Sequence, residues 1–251
     1  MLKVKGLYKH FRGLVAVNNL SFEVKEGELV GLIGPNGAGK TTVFNLISGI
    51  YKPDLGEINF LNKNLVGKKT SSIAALGLTR TFQSNVLFDN QTCFENIMMS
   101  CHLQHRTSAL DLALGIRGKR SRTNDELNHR RAEKILKILG LNEQRDQLAE
   151  GLPQGIKRIL GVANALATEP KLLLLDEPVT GMSNRDIQKF KTLILKLVNR
   201  GVSILLVEHN LRLVMDICQR IVVIDFGKKI AEGEPQEVKN NKAVIEAYLG
   251  G

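Results

Sequence analysis

The chain has 251 residues, 43% of them hydrophobic, and a formal net charge of +10 at pH 7. This length suits an α/β domain with an inserted subdomain, and no apolar run approaches the roughly 18 residues that cross a bilayer. The N-terminal segment lacks the apolar core of a signal peptide, and three cysteines without C-x-x-C spacing support neither a disulfide framework nor a zinc site. We therefore expect a soluble cytosolic protein with reduced thiols at Cys93, Cys101 and Cys218.

The first 60 residues predict strands on both sides of a helix. Residues 2–24 show short alternating stretches divided by turn signals at Arg12-Gly13 and Asn18-Asn19, which indicates an antiparallel start. Residues 28–33 form an apolar run typical of a buried strand, residues 42–48 have a helical pattern, and residues 57–60 predict the next strand.

The segment between the apolar run and the helix reads GPNGAGKT over residues 34–41, which fits the phosphate-binding pattern G-x-x-x-x-G-K-[ST]. In such a loop the glycines let backbone N–H groups surround the β-phosphate, Lys40 reaches the β- and γ-oxygens, and the Thr41 hydroxyl binds Mg²⁺. The sequence therefore predicts a site for a nucleoside triphosphate with Mg²⁺. The residues of this segment expected to contact it are Asn36, Gly37, Ala38, Gly39, Lys40, Thr41 and Thr42.

The middle of the chain changes to helical patterns. A polar-ended strand is predicted at 78–83, and the T-x-x-E spacing of Thr92 and Glu95 predicts a capping box that opens a helical subdomain over 89–160. Helical spacing continues to Gly140, which suits a helix C-terminus. A basic stretch, defined as residues 117–131, has no interleaved aromatic residues of the kind that stack on bases. Either a solvated loop and helix face or a contact with lipid headgroups or a membrane partner would account for it.

Two carboxylates and a histidine follow the next predicted strands. Residues 172–175 are four leucines that predict a strand covered on both faces in a parallel sheet, and ligands bind at the carboxyl ends of such strands. Asp176 is placed to hold Mg²⁺, and Glu177 to polarise the attacking water. A strand at 202–207 leads to His209, whose imidazole is expected to hydrogen-bond the γ-phosphate. A hairpin at 221–230 and a helix at 243–249 close the chain.

The ordered set of phosphate loop, Gln83, Asp176-Glu177 and His209 resembles the nucleotide-binding subunit of ABC transporters along essentially the whole chain. The resemblance implies an α/β P-loop NTPase core with a mostly parallel sheet, an antiparallel N-terminal β-subdomain and the inserted helical subdomain, all in one nucleotide-binding domain over 1–251. It also implies that Phe11 stacks on adenine and that Gln83 links Mg²⁺ and water to a membrane partner.

The same resemblance places the family's signature motif at residues 152–156. This sequence reads LPQGI there, which departs from the usual Leu-Ser-Gly-Gly-Gln and lacks its serine. Gly155 still allows close backbone approach to nucleotide at the start of the following helix. The loop around Gly181, where the family usually has an aspartate, has Ser183-Asn184 instead.

Several stretches, among them TRTFQ at 79–83, EPVTGM at 177–182 and VIEAYLG at 244–250, look like the LivG-type subunit of branched-chain amino acid importers. The resemblance implies an ATPase at the cytoplasmic face of the cell membrane. It would act as a homodimer or with a LivF-like ATPase, together with permease subunits, indirectly with a substrate-binding protein, and with no specific nucleic acid. One alternative is the ATPase of a lipid or lipopolysaccharide exporter, and another is a soluble nucleic-acid- or ribosome-associated ABC ATPase.

Overall fold

The computed structural model describes residues 1–81, 87–102 and 117–249, with the side chains of 117–123 and 249 left aside. The chain divides into two compact units. Unit 1 consists of Met1–Gln83, Lys171–Thr180 and Asn184–Gly251, and unit 2 of Ser84–Pro170 and Gly181–Ser183. The range 89–160 of the predicted helical subdomain falls within Ser84–Pro170 of unit 2, and the subdomain with these bounds stays a prediction.

Among the described residues, ten strands lie in unit 1. They are β1 (Leu2–Phe11), β2 (Leu14–Val24), β3 (Leu29–Ile33), β4 (Leu55–Phe60), β5 (Lys63–Asn64), β6 (Leu78–Arg80), β7 (Leu172–Asp176), β8 (Ser203–Val207), β9 (Arg220–Asp225) and β10 (Lys228–Gly233). An antiparallel sheet has the order β2-β1-β4-β5, and a six-stranded sheet has the order β10-β9-β3-β8-β7-β6. Among the described strands of the second sheet, only β10 runs antiparallel, so the predicted mostly parallel sheet is confirmed.

Helices complete both units. They are α1 (Lys40–Ile47), α2 (Thr70–Ala75), α3 (Cys93–His102), α4 (Arg117–Leu139), α5 (Gln154–Ala167), α6 (Asn184–Val198), α7 (Leu211–Ile217), α8 (Pro235–Lys239) and α9 (Lys242–Leu249). The sequence patterns gave no prediction for α2, α6 or α8. No helix within the described ranges is long and apolar enough to cross a membrane.

The N-terminal hairpin turns at Arg12 and Gly13, whose φ angles of 46° and 96° are those that a two-residue hairpin loop requires. The turn predicted at Asn18-Asn19 is wrong, because both residues lie inside β2. Pairing shifts there by one residue, from Leu7 opposite Leu20 to Lys9 opposite Val17. Asn19 has a φ of 54°, which asparagine tolerates well, so the strand accommodates a bulge and continues.

A hydrophobic cluster in unit 1 joins the two sheets and α1, with fully buried Phe44 of α1 and Phe60 of β4 among its largest members. Every residue of β3, β7 and β8 is buried, which confirms that the run of leucines in β7 is covered on both faces. Because β3, β8 and β7 run parallel, their carboxyl ends lie at the same edge of the sheet. The loops that follow them carry the predicted chemistry.

Unit 2 contains α3, α4 and α5. The predicted capping box is present, because the Glu95 N–H donates to Thr92 Oγ1 at 3.2 Å while Glu95 Oε2 accepts from the Thr92 N–H at 2.8 Å. Helix α4 ends before Gly140, which has a φ of 70°, as predicted. Because α4 begins at Arg117, the basic stretch lies in this helix and not in a loop.

Candidate nucleotide-binding site

The phosphate loop connects β3 to α1, so the predicted order of strand, loop and helix is confirmed. The Lys40 side chain is buried, and its ammonium donates hydrogen bonds to the carbonyls of Gly34 at 2.7 Å and Pro35 at 2.8 Å. Burial lowers the Lys40 pKa, while the carboxylates of Glu177 and Asp176 act in the opposite direction. The lysine thus spans the loop beside two acidic groups. Of the other predicted contacts, Asn36, Gly37 and Thr41 are exposed, Gly39 and Thr42 are half-buried, and Ala38 is buried.

Backbone contacts from β2 and from the turn between β9 and β10 hold this loop in place. Gly39 has a φ of 102° and packs so closely on the Ala16 carbonyl of β2 that a Cβ atom would collide with it. In the turn between β9 and β10, the Gly227 N–H donates to the Ala38 carbonyl at 3.0 Å, and the Gly227 carbonyl accepts from the Asn18 N–H at 2.9 Å. The backbone of the chain itself therefore braces the phosphate loop. The sequence patterns gave no sign of this brace.

The C-terminal helix also contacts the loop. Burial raises the pKa of the Tyr248 hydroxyl to about 12, and a hydrogen bond from the Gly34 backbone acts in the opposite direction. Gly34 itself lies against the Ile224 carbonyl of β9, where a Cβ atom would collide with the backbone. The start of the phosphate loop is thus packed between β9 and α9.

Asp176 ends β7 with a side chain that is 2% exposed. Its Oδ2 accepts a hydrogen bond from Arg80 Nη2 at 2.7 Å, whereas its Oδ1 is buried and has no hydrogen-bond partner among the described residues. A buried carboxylate oxygen without a donor is costly unless a cation or water satisfies it. Mg²⁺ prefers carboxylate and hydroxyl oxygens together with phosphate and water, so Asp176 fits the predicted ion.

Arg80 connects Asp176 to the helix that follows the phosphate loop. Its Nη1 donates to Asn45 Oδ1 at 2.6 Å and to Ser48 Oγ at 3.3 Å, and its guanidinium lies 5.5 Å from the Phe44 ring centre. The guanidinium side chain is only 7% exposed. Sequence reasoning assigned Arg80 no role, although a charged residue within a predicted strand was a usable signal.

Glu177 and His209 are brought together at the ends of β7 and β8. His209 Nε2 lies 2.6 Å from Glu177 Oε1, with the glutamate side chain 14% exposed and the histidine side chain 46% exposed. Glu177 has a φ of 46°, which is unfavourable for a residue with a Cβ, and its N–H donates to the Val207 carbonyl at 2.9 Å. Strain held by packing and hydrogen bonds is common at functional sites. The contact of His209 with a γ-phosphate stays a prediction.

Three further residues are predicted to contact the nucleotide or Mg²⁺, namely Gln83, Phe11 and Gly155. Gln83 lies outside the described residues. Phe11 is 37% exposed, forms a T-shaped pair with Tyr51 at 5.2 Å between ring centres, and has Lys9 Nζ 5.4 Å from its ring centre. Its stacking on adenine stays a prediction. Gly155, in unit 2, lies in the first turn of α5, and Pro153, which replaces the signature serine, is the N-cap residue of that helix without a side-chain capping bond.

Comparison with known proteins gives two family matches and full-length relatives. Residues 17–180 match the family described as ABC transporter, and residues 228–251 match the family described as branched-chain amino acid ATP-binding cassette transporter. The high-affinity branched-chain amino acid transport ATP-binding protein LivG of Salmonella typhimurium is 42% identical, over 100% of this chain and 98% of the relative. The lipopolysaccharide export system ATP-binding protein LptB of Haemophilus influenzae is 31% identical, over 100% and 97%.

Solved structures agree with these matches. A crystal structure of the ADP conformation of an ATP-binding cassette from an ABC transporter is similar, with a TM-score of 0.84 and 28% identity, covering 100% of this chain and 99% of that one. The predicted fold class is thereby confirmed.

Proposed function

The chain belongs to the ABC transporter family of ATP-binding proteins, and on that premise we propose that it powers the import of branched-chain or related amino acids. It is a nucleotide-binding ATPase, as its family membership implies. The observation that carries the proposed cargo is the 42% identity with LivG along the whole chain. The separate match of residues 228–251 to a branched-chain amino acid family supports the same cargo.

ATP binding is proposed to use the braced phosphate loop. Backbone N–H groups of residues 36–42 and the Lys40 ammonium would surround the β- and γ-phosphates, with the ammonium exchanging its bonds to the Gly34 and Pro35 carbonyls for phosphate oxygens. Phe11 would stack on adenine. Thr41, Gln83 and Asp176 would hold Mg²⁺, which neutralises developing charge on the phosphates when bound.

Hydrolysis is proposed to depend on Glu177. Its carboxylate would orient a water molecule and accept its proton as the water oxygen bonds to the γ-phosphorus and the bond to the β-phosphate oxygen breaks. The contact at 2.6 Å with His209 fixes the direction of that carboxylate. Gln83 would help to place the water, and the imidazole, which is 46% exposed, would contact the γ-phosphate.

The assembly is proposed from the same family relationship. The chain would pair with a second ATPase subunit, either a LivF-like chain or a copy of itself, at the cytoplasmic face of the membrane, where permease subunits and a substrate-binding protein supply the cargo site. In such a dimer each ATP lies between the phosphate loop of one subunit and the signature of the other. The backbone of Gly155 would contact the nucleotide bound to the partner. No specific nucleic acid would belong to the assembly.

Lipopolysaccharide export is the second candidate, because LptB of Haemophilus influenzae also aligns along the full chain. Its identity is 31% against 42% for LivG, so import is favoured.

A transport experiment separates the two candidates. Cells lacking the gene would be complemented with wild-type protein, Glu177→Gln, or Glu246→Gln as a control at an exposed position of α9. Import predicts that uptake of radiolabelled leucine is restored by wild type and by the control but not by Glu177→Gln. Normal leucine uptake with Glu177→Gln, combined with loss of surface lipopolysaccharide, would refute import and support export.

A further inference from the structure

Glu208, the residue between β8 and His209, is a buried carboxylate to which the sequence patterns assign no role. Its side chain is 3% exposed. Its Oε1 accepts a hydrogen bond from the Val179 N–H at 2.8 Å, and its Oε2 accepts from the N–H groups of His209 at 3.0 Å and Asn210 at 3.3 Å. Burying a carboxylate is costly unless hydrogen bonds compensate, and here backbone donors of two separate loops provide them.

These two loops carry the residues proposed to act on the γ-phosphate. Val179 lies two positions after Glu177, and His209 directly follows Glu208. The side chains of Glu177 and His209 also contact each other at 2.6 Å. Glu208 therefore links, through backbone hydrogen bonds, the same two loops that this side-chain contact links. Burial raises the pKa of Glu208, and the nearby charge of Glu177 acts in the same direction, whereas the backbone donors oppose it.

The left-handed backbone of Glu177 explains why such a brace is useful. Its φ of 46° is retained only where the surroundings impose it. The N–H of Glu177 is held by the Val207 carbonyl, and the chain after Glu177 is held by Glu208 through the Val179 N–H. The strained residue is therefore fixed on both sides by the end of β8.

We propose that Glu208 is a positioning residue for ATP hydrolysis, which holds the Glu177 loop and the His209 loop at the separation that their side chains require. The inference rests on the proposed roles of Glu177 and His209. A misplacement of about 1 Å at a reacting group costs on the order of a hundredfold in rate.

The test compares three variants of the full-length chain in the assembled transporter. Glu208→Ala removes the acceptors for both loops, whereas Glu208→Gln has the same shape and keeps one acceptor oxygen. Glu28→Gln is a matched control, because Glu28 is also a shielded carboxylate, 12% exposed, whose partners are Arg220 at 2.8 Å and the Lys25 N–H at 2.7 Å. It precedes β3 and therefore lies at the opposite end of the parallel sheet.

We expect Glu208→Ala to lower kcat by about tenfold to a hundredfold, with the KM for ATP changed less than about threefold, because charge-assisted hydrogen bonds to the loops are lost. Glu208→Gln should lose less, which is the rescue expected from the retained oxygen. Glu28→Gln should lower the thermal midpoint without lowering kcat. If Glu208→Ala does not fold, the test compares Glu208→Gln with Glu28→Gln. We then expect the two variants to have equal thermal midpoints and Glu208→Gln to have the lower kcat.

A double mutant separates positioning from general stability. In a Glu177→Gln background, Glu208→Gln should lower turnover no further while still lowering the thermal midpoint. Wild-type kcat in both Glu208 variants, or an undiminished effect of Glu208→Gln on turnover in the Glu177→Gln background, would overturn the inference. Wild-type turnover in Glu177→Gln alone would overturn the proposed catalytic site and this inference together.

Discussion

Replacing Arg80 by methionine should lower the free energy of unfolding, because it leaves the buried Asp176 carboxylate without its guanidinium partner. The two side chains are 7% and 2% exposed and meet at 2.7 Å. Removing one partner of a buried ion pair costs about 3–5 kcal/mol in unfolding free energy. For a chain of this size about 1 kcal/mol corresponds to about 2–4 °C, so the thermal midpoint should fall by about 6–20 °C.

The measurement is urea denaturation of wild type, Arg80→Met and Arg80→Met/Asp176→Asn, followed by circular dichroism without nucleotide or Mg²⁺. Because an amide at position 176 removes the buried charge, the double variant should regain at least about 2 kcal/mol of the loss. Lys191→Met is the control, since the Lys191–Asp216 ion pair has a similar N···O distance, 2.8 Å, but its side chains are 27% and 42% exposed. Exposed pairs contribute about 0–1 kcal/mol.

Two results would refute this reasoning about the buried pair. One is an Arg80→Met variant whose unfolding free energy lies within about 1 kcal/mol of wild type, as expected only for an exposed pair. The other is a double variant no more stable than the single one, which would mean that the contacts of Arg80 with Asn45 and Ser48, and not the carboxylate charge, carry the effect.

Three further predictions concern the phosphate loop, the thiol of Cys218 and the signature motif at residues 152–156. Lys40→Ala should weaken binding of a fluorescent ATP analogue by about tenfold to a hundredfold, and unchanged affinity would contradict the phosphate-loop role. Burial raises the pKa of Cys218 to about 12, so its thiol stays protonated at pH 8. Iodoacetamide should therefore label Cys218 only when the protein is unfolded in urea. Rapid labelling of Cys218 in the native chain would contradict this prediction. In a dimer with a LivF-like chain of complete signature, the hydroxyl missing at Pro153 should slow the partner's site by about tenfold to a hundredfold. Glu177→Gln should then reduce turnover far more than the same change in the partner, and equal losses would exclude this asymmetry.

The sequence predicted the elements that have a strong local pattern. The apolar runs of β3, β7 and β8, the capping box at Thr92 and the phosphate loop are recognisable because their physics is local: burial, side-chain capping and a glycine-rich turn. The error at Asn18-Asn19 has the opposite cause. Asparagine with positive φ occurs in turns and in bulges alike, and only pairing with β1 decides between them.

The parts of the site that escaped prediction depend on long-range contacts. Arg80 meets Asp176 across 96 positions of sequence, and Glu208 meets Val179 across 29. No spacing rule connects such residues, because strand order and not sequence distance makes them neighbours. Glu208 was visible only as a charged residue at a strand end, which is usually solvated and here is buried.

The order of strands in the six-stranded sheet also sets when the protein becomes able to bind its ligand during synthesis. The antiparallel sheet is complete once residue 64 has left the ribosome, but β3 pairs only with β8 and β9. Strand β3 can therefore gain both partners only after synthesis has reached residue 225, which takes about 10–40 s at typical elongation rates. During this interval β3 lacks both of its partner strands, which leaves its backbone N–H and C=O groups open to chaperones and to aggregation. Nascent fragments that end before β8 should consequently gain no protease resistance from added ATP.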